Sequence, residues 1–111
     1  MSIAVCRLSE IAPMSAKRVL IGERAVAVVR TADSVYAVDD RCSHADVSLS
    51  EGEVVDCTIE CWLHGSAFDL VTGEPLSPPA VTAVRVFPVR LSEDDDDPTV
   101  SIDISFEGDP R

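Results

Sequence analysis

Aromatic side chains are scarce in this 111-residue chain, which has one Trp, one Tyr and three Phe. With 46% of its residues apolar, a core must come mainly from Val, Ile, Leu and Ala. No apolar run approaches the roughly 18 residues of a membrane-spanning helix. The opening Met1-Ser2-Ile3-Ala4-Val5-Cys6-Arg7 lacks the basic-then-apolar order of a secretory leader. A cytoplasmic chain is therefore expected, in a compartment where structural disulfides are rare. Basic residues are few as well: 9 Lys and Arg face 20 Asp and Glu, for a formal net charge of −11. Between Arg41 and Arg85 there are none, while Asp46, Glu51, Glu53, Asp56, Glu60, Asp69 and Glu74 fall in the same stretch. A field of that sign excludes nucleic acid. It steers the chain toward a basic protein face, and it also favours solubility. No internal repeat is evident, and the length fits one domain, 1–111, near the small end of chains that bury their own core.

Histidine is scarcer still, with two in the chain, and each stands beside a cysteine. The first segment reads Cys42-Ser43-His44; after 16 residues the second reads Cys61-Trp62-Leu63-His64. Two thiolates and two imidazoles are the ligand set of a mixed [2Fe–2S] centre, with Cys42 and Cys61 on one iron and His44 and His64 on the other. The same four residues could make a tetrahedral zinc site. Zinc spacing suits Cys61-x-x-His64 but not Cys42-x-His44. The even cysteine count also admits a disulfide, against which the compartment argues.

These segments, continued by Gly65, resemble the C-x-H and C-x-x-H-G pair of Rieske proteins. Phe68-Asp69, Thr72-Gly73-Glu74, Pro79-Ala80 and Pro88-Val89 extend the likeness over residues 24 to 104. The chain is most similar to the small ferredoxins that serve bacterial aromatic-ring dioxygenases. Membrane-bound Rieske proteins carry an extra loop disulfide; Val47 and Leu63 occupy those positions here, which excludes that form. The resemblance implies an all-β fold: an antiparallel β-sandwich base, residues 1–40 and 81–105, with a smaller cluster-binding lobe at about 41–80. It also implies one [2Fe–2S] cluster, solvent-reaching imidazole edges, and a flavin-dependent ferredoxin reductase and a terminal oxygenase as partners. Rieske proteins of iron–sulfur assembly or nitrite reduction share the pattern. High-potential members place Ser and Tyr hydroxyls near the cluster, at positions matching Ser66 and Phe68. With Phe68 lacking the hydroxyl, a potential near the low end of the Rieske range, roughly −150 mV, is expected. Pro78-Pro79 matches a loop that lies against the cluster, and Trp62 stands where many relatives have Pro.

Pattern alone supplies about nine short strands. Ile3 to Leu8 opens the chain, and Pro13 interrupts the connection that follows. Arg18 to Ile21 and Arg24 to Arg30 form a hairpin over Gly22, and Val35 to Val38 leads into the first ligand segment. Ala45 to Ser50 is too short and polar for a helix of consequence. Val54-Val55 and Thr58 to Glu60 form a hairpin across Asp56-Cys57 that delivers Cys61, and Ala67 to Leu70 follows. Val84, Val86, Val100, Ile102 and Ile104 show the two-residue period of half-buried strands. Glu93 to Asp97 reads as a solvated hairpin loop, and residues 106–111 as a tail. Cys6 fits a small buried apolar residue. Cys57 sits at a turn where Gly is expected. The four ligands leave no open metal position, and no nucleophile or base stands out, so a one-electron carrier is expected rather than an enzyme.

Overall fold

The computed structural model describes residues 2–22, 24–32, 34–40, 48–62, 67–76, 83–92 and 96–103. Among these are ten strands, in order β1 (Ser2–Arg7), β2 (Ser15–Ile21), β3 (Arg24–Arg30), β4 (Val35–Asp39), β5 (Glu53–Val55), β6 (Thr58–Glu60), β7 (Ala67–Asp69), β8 (Val86–Phe87), β9 (Val89–Leu91) and β10 (Thr99–Asp103). The helical residues described are two 3₁₀ turns, Leu8–Glu10 and Leu49–Glu51. No helix among the described residues is long and apolar enough to cross a membrane.

The sheet β2-β3-β4-β8 organises the rest. Its strand β3 holds four successive buried residues, Val26, Ala27, Val28 and Val29. Neighbouring side chains on a strand point to opposite faces, so an unbroken buried run means that both faces are covered. Val26 and Val28, with Ala37 and Phe87, pack against Val100 and Ile102 of the sheet β1-β10-β9. Ala27, Val29 and Val38 pack instead against Val54, Ile59, Phe68 and Leu70 of the sheet β5-β6-β7 and its flank. The central sheet is thus shared by two apolar layers, and every strand pair is antiparallel.

Turns follow their residues. Gly22 has φ +65 between the paired Ile21 and Arg24, as expected for a tight hairpin. At the β5–β6 hairpin the positive φ falls on Asp56 (φ 53), a residue type that tolerates it, and so Cys57 does not need to be Gly. Val84 is buried but lies outside the strands, and Val86 begins β8. Pro75 makes one bridge, to Phe68, at the edge of β7. Phe106 to Arg111, Ile104 and Pro78-Pro79 lie outside the described residues.

The acidic run is tied down at one end. The Ser9 hydroxyl and amide donate to the Asp97 carboxylate at 2.7 and 2.9 Å. Arg7 donates to its carbonyl at 3.1 Å. These bonds hold the Asp97 carboxyl below its usual range, chiefly through the Ser9 hydroxyl. Cys6 is half-buried against the outer core. Burial, then the Glu10 carboxylate, pushes its thiol above the ordinary range, with Lys17 opposing.

Candidate metal centre

β6 ends at Glu60 and hands the chain to Cys61, whose residue is 1% exposed and whose thiol is free. Cys61 packs with Leu49, Val54, Ile59 and Phe68. The next residue, Trp62, is 52% exposed and so points outward rather than into the core. A buried cysteine outside any disulfide, fixed at the end of a strand, is a donor type suited to iron. Cys42, His44, His64 and Ser66 lie outside the described residues. Phe68 is fully buried on β7 opposite Ile59, in the same apolar cluster as Cys61, and offers no hydrogen-bond donor.

The flanks of the candidate segment Cys42-Ser43-His44 are fixed by contacts that sequence reasoning missed. Asp40, directly after β4, has a fully buried side chain. The Ser50 amide donates to its Oδ1 at 2.6 Å and the Ser50 hydroxyl to its Oδ2 at 3.1 Å. Arg18 Nε lies 3.1 Å from Oδ2. The Asp40 amide in turn donates to the Ala25 carbonyl at 3.1 Å. Leu49 is fully buried against the central sheet. Gly52 lies so close to Glu60 that a Cβ there would stand 1.7 Å from the Glu60 carbonyl oxygen.

The turn after β7 is built by its own side chains and backbone. Asp69 Oδ1 accepts the amides of Val71 and Thr72 at 2.7 and 3.2 Å. Gly73 has φ +81, and a Cβ on it would lie 2.1 Å from the Val84 carbonyl oxygen. The Thr72-Gly73 motif thus permits a close crossing of two backbones. A groove of about 540 Å³ opens beside Cys61, lined by Met14, Glu51, Glu53, Glu60 and Trp62 among others.

The profile of the Rieske [2Fe-2S] domain family matches residues 1–88. The chain belongs to that family. Ferredoxin CarAc of Metapseudomonas resinovorans is 40% identical over 92 residues, covering 82% of this chain and 86% of that one. The solved ferredoxin of carbazole 1,9a-dioxygenase from Nocardioides aromaticivorans IC177 superposes with a TM-score of 0.83 at 32% identity, over 92% of this chain and 96% of that one. A solved complex of reduced oxygenase and oxidized ferredoxin in carbazole 1,9a-dioxygenase matches with a TM-score of 0.81 at 37% identity, over 91% of each chain. This Rieske domain is therefore an electron carrier that binds a [2Fe–2S] cluster, and not itself an enzyme. The free, buried thiol of Cys61 fits that cofactor.

Proposed function

We propose that this Rieske domain carries single electrons, in the cytoplasm, from a flavin-dependent ferredoxin reductase to a terminal oxygenase. Cys42 and Cys61 hold one iron of its cluster, and His44 and His64 hold the other. The observation that carries the reading is the match, over 91% of each chain, to a ferredoxin solved in complex with its oxygenase. When bound, the cluster supplies a reversible one-electron couple. The protein's own residues do the rest. Cys61, directly after β6, fixes a thiolate in an apolar setting that keeps water from the sulfur. His44 and His64, as neutral ligands, leave their iron the more electron-poor and so provide the electron's way in and out. Residues 41–80 form the lobe that presents them. Glu51 and Glu53, both exposed, and Glu60 line the groove beside Trp62 and suit a partner face rich in Lys and Arg.

Purified protein, mixed with such a reductase, NADH and an aromatic-ring oxygenase, should support product formation that stops when the ferredoxin is omitted. Cys42→Ser and Cys61→Ser should lose the cluster's visible absorbance and that activity, whereas Cys57→Ser and Cys6→Ala keep both. Cluster reduction by the reductase with no transfer to any oxygenase would point to another acceptor. A cluster retained unchanged in Cys61→Ser would refute the ligand assignment.

A further inference from the structure

A buried carboxylate is costly to desolvate and persists only where its partners are well placed. Among the described residues, Asp40 is the one acidic side chain in the buried class. Its partners lie on both sides of the first ligand segment. Asp40 stands just before residue 41, and Ser50 stands beyond it, in the 3₁₀ turn Leu49–Glu51. Arg18 on β2, two strands away from β4 in the central sheet, orients the carboxylate from the side. Two residues past Ser50, Gly52 abuts the Glu60 backbone, one residue before Cys61.

We propose that Asp40 is a positioning residue for the cluster. Through Ser50 it closes the base of the first ligand loop. Through the Gly52–Glu60 contact it sets that loop's place relative to the segment starting at Cys61. Closing a loop at its base removes conformations that cluster binding would otherwise have to remove. The described ends of the two candidate ligand segments, Asp40 and Ser50 on one side and Glu60 and Cys61 on the other, are then tied together by the protein itself. This inference rests on the assignment of 42–44 and 61–64 as ligand segments.

The test uses the holoprotein and an excess of iron chelator, with the decay of visible absorbance as the rate of cluster loss. Asp40→Ala should shed the cluster about tenfold faster than the unaltered protein, the lower end of what supporting partners of metal ligands contribute. Its reduced cluster should also show shifted EPR g values. Val100→Ala, which weakens the outer core on the far side of the central sheet, serves as the control. It should lower the melting temperature with the EPR spectrum unchanged and little change in the rate of loss. Equal rates of loss in the two variants at a matched fall in melting temperature, with unchanged g values in both, would overturn the proposal. Should Asp40→Ala yield no folded protein, Asp40→Asn is judged by the same two readouts. It keeps one oxygen for the Ser50 amide but sets an NH₂ where Ser50 and Arg18 both present donors. Cys61→Ser separates the two layers of the argument. A cluster surviving in it removes the ligand assignment, whereas a cluster lost in it and held normally in the Asp40 variants removes the clamp alone.

Discussion

At the residue scale, Phe68 and Ser66 set the expected redox potential. Hydrogen bonds to cluster sulfurs stabilise the added electron and raise the potential. Phe68 is fully buried in the cluster that holds Cys61 and has no donor to give. Protein-film voltammetry should therefore find a potential near −150 mV, roughly the low end of the Rieske range. Phe68→Tyr should raise it by some tens of millivolts, and Ser66→Ala should lower it by a similar amount; about 59 mV is a tenfold change for one electron. A wild-type value above about +150 mV would show that other donors supply what Phe68 lacks. Asp97 makes a different prediction. Its carboxyl is held below the usual range, so its bonds to Ser9 add stability at pH values above the unfolded carboxylate's titration, near pH 4. That stability is lost as pH falls through the lower, folded value. Acid unfolding of Asp97→Asn should accordingly be less steep below about pH 4 than that of the parent. The effect is small because the bonds lie at the solvent-exposed surface.

At the scale of elements, β3 separates two roles. Val28 faces the outer sheet and Val29 faces the layer that carries Cys61. Truncating either to Ala should cost about 2 kcal/mol in denaturant unfolding, from two lost carbons plus a cavity. Only Val29→Ala should also speed cluster loss to a chelator; equal loss in both would mean that the layers respond as one. The hairpins were legible in the sequence because their signals are local. Gly22 marks one turn, Val55 and Thr58 flank the other, and the alternation of Val100 and Ile102 survives as two fully buried residues on β10. The place of β3 at the centre of three layers was not legible. A run such as Ala25 to Val29 gives its strand type but not what covers each face. The candidate ligands stood out because Cys and His are rare and closely spaced. Asp40 did not, since in Asp39-Asp40-Arg41 it reads as one more surface acid, and its partner Ser50 lies ten residues on. An acid two residues before C-x-H, with a Ser ten residues after that acid, is the signal that was available. Asp97 likewise read as part of a solvated run, because its tie to Ser9 spans 88 residues.

At the scale of the whole molecule, charge governs encounter. Exposed Glu51, Glu53, Asp56 and Glu74 lie in the stretch with no Lys or Arg. If that surface steers a basic partner, electron-transfer rates should fall steeply as ionic strength rises from about 0.01 to 0.15 M, where the Debye length shrinks from about 30 to 8 Å. A flat salt profile with a competent oxygenase would reduce the acidity to a solubility device.

The pairing of β1 with β10 sets Ser2 opposite Asp103, in the layer across the central sheet from the one that carries Cys61. The beginning of β1 and the end of β10 are therefore neighbours. A tether to an electrode or a fused reductase, attached at either place, leaves from the back of the molecule. The fold thus offers a handle in the layer across the central sheet from Cys61, and if the proposed partner face at Trp62 and the neighbouring carboxylates is right, a protein immobilised by it transfers electrons as fast as the free one.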